Sequence, residues 1–112
     1  MALSLSIVLP MHNEEDAAGP FLEEIFAATA GLPLIEVICV DDASADGTLA
    51  VLKKLRGTFE TLRILRHAVR SGQSAAVVTG VRAARGEIVA TMDGDGQNDP
   101  ASFWPLLDAF HG

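Results

Sequence analysis

The sequence predicts an α/β fold, a largely parallel sheet with helices on both faces, on three observations. Short runs rich in leucine and β-branched residues recur along the chain. They are apolar throughout, as strands covered from either side are, and stretches of helical spacing separate them at lengths suited to crossover connections.

Leu5–Leu9 is the first run, and Pro10 ends it. The next helix is read as Phe21–Ala30, which sets Phe21, Leu22, Ile25 and Phe26 on one face with Pro20 at the first helical position. Ile35–Val40 is the second strand, and Asp46-Gly47-Thr48 leads into the helix Leu49–Leu55, closed by Gly57. Leu62–Leu65 is the third strand; Ser71 or Gly72 opens a third helix that Gly86 ends, and Glu87–Met92 is the fourth strand. Asp99-Pro100 reads as an N-cap and first-turn proline of a last helix through Phe103, Trp104, Leu107 and Phe110. Right-handed crossovers are expected, with ligands beyond the carboxyl ends of the strands.

A chain of 112 residues has room for one domain, and 49% hydrophobic with 21% charged residues excludes disorder, collagen-like repeats and disulfide scaffolds. The single cysteine, Cys39, falls in an apolar run and is read as a buried structural thiol in a reducing compartment. No run approaches the roughly 18 apolar residues of a membrane span, and the N-terminus lacks a signal peptide's pattern. The expectation is a soluble cytoplasmic domain without repeats or linkers.

Fifteen acidic residues against eight basic ones give a net charge of −7, which argues against nucleic acid or an anionic membrane as the main partner. The charge is unevenly spread. Glu14, Glu15 and Asp16 follow the first strand, Asp41, Asp42 and Asp46 the second, and Asp93, Asp95 and Asp99 the fourth. Neighbouring carboxylates repel one another, so this clustering predicts a cation or a set of hydrogen-bond donors at that edge.

Four segments carry the chemistry. In Met92-Asp93-Gly94-Asp95-Gly96-Gln97-Asn98-Asp99-Pro100, two carboxylates after a buried strand point the same way, and their hard oxygens suit Mg²⁺ or Mn²⁺ completed by substrate phosphates. The plain alternative is a solvated turn whose Asp99 caps a helix. An EF-hand loop fails, because Asn98 stands where its glycine belongs and Trp104 where its glutamate belongs. In Val40-Asp41-Asp42-Ala43-Ser44-Ala45-Asp46-Gly47-Thr48, Asp41 offers a carboxylate to a base or ribose, while Ser44 or Asp46 is expected to cap the following helix. Pro10-Met11-His12-Asn13-Glu14-Glu15 brings amide and carboxylate groups to the same edge, where His12 by itself reads as an ordinary loop histidine. Arg66-His67-Ala68-Val69-Arg70-Ser71-Gly72-Gln73-Ser74 adds positive charge and a helix N-terminus, both suited to a diphosphate.

Together these segments resemble the nucleotide-binding half of family 2 glycosyltransferases, which have the Rossmann-like glycosyltransferase A fold, and the resemblance covers nearly the whole chain. Gly72-Gln73-Ser74-Ala75-Ala76 and Asp93-Gly94-Asp95-Gly96-Gln97-Asn98-Asp99-Pro100 are most similar to the polyprenyl-phosphate branch, the enzymes like dolichol-phosphate mannose synthase and the undecaprenyl-phosphate sugar transferases. The resemblance implies that Pro10, His12, Asn13 and Glu14 line the base and ribose pocket, with Asp41 taking the base and Asp42 supporting it. It also implies that Arg70 and Gln73 serve the diphosphate, that Asp93 and Asp95 hold a Mg²⁺ or Mn²⁺ ion bridging it, and that Gln97 lies in or next to that shell. The chain departs from the family at His12, where tyrosine is common, and at Arg70, where asparagine is common.

The expected activity is inverting transfer of a sugar from a UDP-sugar or GDP-sugar to a polyprenyl phosphate, at the cytoplasmic face of the membrane for the full-length enzyme. Residues 1–112 correspond to the donor-binding part, with the acceptor-binding part absent; a fragment of this kind is expected to be inactive alone and, with an open sheet edge, to self-associate as a homo-oligomer. A response-regulator receiver domain is the rival from another class, but its acidic pair should follow the first strand, and no lysine-ended strand comes after Asp93. A nucleotidyltransferase should carry a glycine-rich basic loop where His12-Asn13-Glu14-Glu15 stands.

Overall fold

The computed structural model describes residues 3–92. Its elements are β1 (Leu5–Met11), α1 (Glu15–Ala28), β2 (Leu34–Asp42), α2 (Thr48–Arg56), β3 (Leu62–His67), α3 (Gln73–Ala83) and β4 (Ile88–Thr91). The strands form one sheet in the order β3-β2-β1-β4, every pair parallel. From β1 to β3 the chain steps one way across the sheet, then returns past β1 to lay down β4. A constant crossover hand therefore requires α1 and α2 on one face and α3 on the other.

The core divides accordingly. Leu5, Ile7, Leu9 and Met11 of β1 pack with Val37 and Cys39 of β2 against Phe21, Leu22 and Ile25 of α1 and Leu52 of α2. The alternate residues Val8, Ile38 and Val40 pack against Ala76 of α3. Each of these large aliphatic side chains is fully buried, a contribution of about 2 kcal/mol apiece. Cys39 is a buried free thiol, and burial pushes its pKa far above the usual thiol value. Among the described residues no helix is long and apolar enough to cross a membrane.

Polar groups fix α3 at both ends. Successive residues of β2 face opposite sides, so Glu36 and Asp42 share the α3 side with Ile38 and Val40. Six residues of strand span about 20 Å and eleven of helix about 16 Å, so one carboxylate reaches each end of α3. At the amino edge of the sheet, Glu36 accepts from Arg63 Nη1 at 2.6 Å, Ser6 Oγ at 2.7 Å and the Arg85 N–H at 2.7 Å. Arg63 also donates to the Ala83 carbonyl at 3.0 Å, and the Gly86 N–H to Ser6 Oγ at 2.8 Å. Gly86 is required there, because a Cβ would lie 2.7 Å from both Ser6 N and Ser6 Oγ. Burial acts to raise the Glu36 pKa, but the Arg85 N–H, Arg63 and Ser6 outweigh it and hold it below the ordinary carboxylate value.

Several boundaries differ from the sequence expectation. Pro10 lies inside β1, paired with Val40. Val8 turns its carbonyl to β4, where it accepts the Met92 N–H at 3.2 Å; Pro10, two residues on, turns its nitrogen the same way, past the last paired residue of β4. The missing N–H therefore breaks no strand pairing. Pro20 likewise lies inside α1, which begins at Glu15; Glu15 and Asp16 suit the positive end of the helix dipole, and Pro20 itself is exposed. β2 and β3 run on through Asp42 and His67 because the pairs Asp41↔Arg66 and Asp42↔His67 continue the ladder. α3 stops at Ala83, before Gly86, with Ala84 already extended. The expected helix after Asp99 lies outside the described residues.

Candidate active site

Three connections, β1–α1, β2–α2 and β3–α3, meet at the carboxyl ends of the strands. The first two are laced together. Asn13, in the left-handed region at φ 53°, accepts at Oδ1 from the N–H groups of Ala45 at 2.8 Å and Asp46 at 3.4 Å. In return the Asn13 N–H donates to Ser44 Oγ at 2.9 Å, the Glu14 N–H to Thr48 Oγ1 at 2.8 Å and the Glu15 N–H to Asp46 Oδ2 at 3.3 Å. His12 Nδ1 donates to the Asp42 carbonyl at 2.7 Å, since a carbonyl only accepts. Its Nε2 is then left to accept from Asn13 Nδ2 at 3.2 Å.

Neither Asp46 nor Ser44 is the N-cap of α2 that the sequence led one to expect: that position is Gly47, with no side-chain cap. Asp46 Oδ1 accepts the Thr48 N–H at 2.9 Å and the Thr48 hydroxyl at 2.5 Å, closing a turn at the start of α2. Desolvation acts to raise its pKa, but the Thr48 hydroxyl and N–H, with the Glu15 N–H, bring it below the usual carboxylate value. Ser44 caps nothing. Its hydroxyl donates to Asp41 Oδ1 while accepting from Asn13, so it joins the two loops to the end of β2.

Asp42 and Asp41 are adjacent, both buried, and differently served. Asp42 Oδ1 accepts from the Ser71 N–H at 2.8 Å and His67 Nδ1 at 2.9 Å, and Oδ2 from the Gly72 N–H at 2.8 Å. His67 Nε2 in turn pairs with Thr79 Oγ1 of α3 at 2.8 Å. Burial acts to raise the Asp42 pKa, but Ser71, His67 and Gly72 outweigh it and hold it low. Gly72, at φ 98°, turns the chain so that consecutive N–H groups reach one carboxylate before α3 begins. Asp42 thus fixes the β3–α3 connection from within. Asp41, fully buried, accepts at Oδ1 from the Ser44 hydroxyl and from the Ser44 N–H at 3.2 Å. Its Oδ2 is buried with no hydrogen-bond partner; Arg66 Nε stands 3.6 Å away, beyond hydrogen-bond reach.

The sequence-predicted residues therefore gather in part. Pro10, His12, Asn13, Glu14, Asp41 and Asp42 lie at the end of the β1–β2 pair, and Arg70 and Gln73 flank the Ser71-Gly72 segment that Asp42 grips. Arg70 is exposed, and Gln73 is the first residue of α3. Asp93, Asp95 and Gln97 lie outside the described residues, one step and more past Met92, whose N–H bonds to β1. Among the described residues no group of three His, Cys, Asp or Glu side chains forms a metal site. Sequence reasoning missed the His67–Thr79 link and the bridging role of Ser44. The signal for His67 was its place directly across the sheet from Asp42, which becomes readable only once the β2–β3 register is known.

The chain spans 30% of a dodecaprenyl-phosphate galacturonate synthase from Rhizobium johnstonii, to which it is 46% identical over 88% of its own length. A dolichol-phosphate mannosyltransferase from Mycosarcoma maydis is 33% identical over 97% of the chain, which spans 39% of that protein. Among solved structures, the mannosyltransferase PcManGT from Pyrobaculum calidifontis, in complex with GDP-Man and Mn²⁺, superposes on 85% of this chain with TM-score 0.77 and 29% identity, the match covering 28% of its own chain. S. aureus TarS 1–349 in complex with UDP-GlcNAc superposes on 83% of this chain with TM-score 0.72 and 28% identity, covering 27% of its own. These neighbours are glycosyltransferases of the glycosyltransferase A fold, and the receiver-domain alternative is not favoured. The sequence pattern described as Glycosyl transferase family 2 matches residues 6–112, and with the parallel sheet and its relatives this shows that the chain belongs to that family of glycosyltransferases.

Proposed function

We propose that residues 1–112 form the donor-binding part of an enzyme that transfers a sugar from a nucleoside diphosphate sugar to a polyprenyl phosphate. The observation that carries the nucleotide reading is Asp41 Oδ2, a buried carboxylate oxygen that faces Arg66 but has no hydrogen-bond partner at the carboxyl edge of the sheet. A nucleobase N–H is a donor that completes it. The acceptor reading is supported by the polyprenyl-phosphate enzymes among the relatives.

The described residues do the positioning. Asn13, Ser44 and Asp46 hold the first two connections together, so Pro10, His12 and Glu14 are presented as one wall. Asp42 sets the Ser71-Gly72 segment, and the reading assigns Arg70 and Gln73, on either side of that segment, to the diphosphate. The carboxylate and amide oxygens of Asp93, Asp95 and Gln97 are a donor set suited to Mg²⁺ or Mn²⁺, and a cation there would offset negative charge developing on the leaving diphosphate. Transfer is by direct displacement with inversion: a phosphate oxygen of the lipid bonds to the anomeric carbon, and the bond from that carbon to the donor diphosphate breaks. A lipid phosphate is already ionised near neutral pH, so no strong general base is needed.

This chemistry belongs in the cytoplasm, at the membrane face where the lipid phosphate is presented; among the described residues β3 and β4 are the outer strands of the sheet, and outer strands favour self-association. Calorimetric titration of a UDP-sugar and a GDP-sugar, with and without Mn²⁺, tests the reading. Metal-dependent binding of one of them, abolished in Asp93→Ala, is expected. No metal-dependent binding, or binding unchanged in that variant, overturns it.

A further inference from the structure

The connection between β3 and α3 has no apolar anchor of its own. Ala68, Val69, Arg70 and Ser71 are all exposed, Val69 by 74%. A closed polar circuit through three elements fixes it instead. Asp42, at the end of β2, takes the Ser71 N–H on Oδ1 and the Gly72 N–H on Oδ2, each at 2.8 Å. His67, the last residue of β3 and paired with Asp42 across the sheet, brings Nδ1 to Oδ1 at 2.9 Å. An ionised carboxylate only accepts, so Nδ1 is the donor, and Nε2 is left to pair with the Thr79 hydroxyl at 2.8 Å. Thr79 lies more than one turn into α3, so the ring is tied to the body of the helix while Asp42 grips the segment that leads into it.

Resting on the nucleotide-sugar reading above, we propose that His67 is a positioning residue for the donor's diphosphate, acting through Asp42 and Thr79. A carboxylate can turn about its Cβ–Cγ bond, and the two backbone N–H groups move with the connection that carries them, so neither side of that contact defines a place by itself. His67 does, because one ring nitrogen is set by β2 and the other by α3. With the ring in place, Asp42 presents its two oxygens to consecutive N–H groups, and Gly72 at φ 98° turns the chain into α3 with Arg70 and Gln73 on either side of the gripped segment. A connection held in this way is ordered before a ligand arrives, so binding a diphosphate there loses less conformational entropy than ordering an exposed loop would. His67 does this without touching the nucleotide.

The test is calorimetric titration of the 112-residue chain with UDP and with GDP in the presence of Mn²⁺, repeated with His67→Leu and His67→Asn, with urea midpoints and backbone amide exchange by NMR recorded for each protein. Leucine removes both links, whereas asparagine keeps an amide N–H in the place of Nδ1. In His67→Leu the nucleotide that the parent chain binds is expected to bind about tenfold more weakly, as the loss of a hydrogen bond to a charged group implies. Amide exchange should quicken at Ser71 and Gly72 and stay unchanged at Ala45 and Asp46, which Asn13 holds. His67→Asn should recover most of the affinity. Unchanged affinity in a folded His67→Leu protein overturns the inference and leaves the nucleotide reading standing. Weaker binding with exchange quickened equally in both connections, or with no recovery in His67→Asn, also overturns it, because that is the mark of a residue that stabilises the fold as a whole. Binding of neither nucleotide by the parent chain overturns the nucleotide reading, and this inference with it. Should His67→Leu fail to fold, Thr79→Val, which removes the link to α3 alone, takes its place; quickened exchange at Ser71 and Gly72 with weaker nucleotide binding is then expected, and the absence of either overturns the inference.

Discussion

Glu36 and Asp41 are buried carboxylates on the same strand, one near each end of β2, and the chain treats them in opposite ways. Glu36 has donors on both oxygens, from a guanidinium, a hydroxyl and a backbone N–H. Asp41 has both of its donors on one oxygen and none on the other. The amino edge of the sheet is a finished polar network that locks β1, β2, β3 and the end of α3 together. At the carboxyl edge one oxygen is withheld from that closure. A protein gains stability by satisfying every buried polar group, so a group left unsatisfied where ligands bind in such sheets marks where stability gives way to recognition.

The contrast breaks most readily at Glu36. Glu36→Ala strips the acceptor from Arg63, Ser6 and Arg85 together and is expected to cost about 3 kcal/mol, read from the urea midpoint. Arg63 is partly exposed and recovers some hydration, which keeps the loss from being larger. A change under about 1 kcal/mol would show that the amino edge is not the stabilising end.

Acid sharpens the same contrast with a smaller effect. The pKa values of Glu36 and Asp42 are lowered in the folded chain from ordinary values of 4.5 and 3.8. Lowered values mean that the unfolded chain binds these protons more readily. The stability these groups contribute is therefore complete above the ordinary values, declines as pH falls below them, and is gone once the folded values are passed. Urea midpoints measured from about pH 6 down to about pH 3 should fall, and Glu36→Gln should flatten that decline. A slope unchanged in Glu36→Gln would assign the acid sensitivity to Asp42 and the carboxyl edge instead.

The smallest expected effect is at Asp41. Asp41→Asn can keep its oxygen toward Ser44 and gives up at the other position no hydrogen bond, only the ion pair with the half-exposed Arg66, so the urea midpoint should move by less than about 1 kcal/mol while nucleotide binding is lost. A loss of stability comparable to that of Glu36→Ala would mean that Asp41 is structural, and the comparison would collapse.

Much of this was legible in the sequence because apolar runs and helical spacing are local properties. The order of elements, the parallel sheet and the meeting of His12, Asn13, Asp41 and Asp42 at one edge follow from them. The two prolines misled because a proline's effect depends on where its nitrogen points: Pro10 faces past the paired part of β4, and Pro20 lies on an exposed side of α1. Ser44 looked like a cap because serine before a helix usually is one, and only the approach of Asn13, 31 residues distant in sequence, gives it another use. The carboxylate of Glu36 stood within an apolar run, itself a sign of a buried charge needing partners, but those partners come from β1, β3 and the turn before β4 and have no shared sequence pattern.

The buried thiol of Cys39 lies on β2 two residues before Asp41, in the apolar layer beneath α1 and α2. Being the single cysteine of the chain, and shut away from both water and ionisation, it is inert while the layer stays closed. Any alkylating reagent that does reach it must wait for the middle of the sheet to part, so the rate of modification becomes a clock for that opening, built into the strand that bears Asp41 and needing no engineered label.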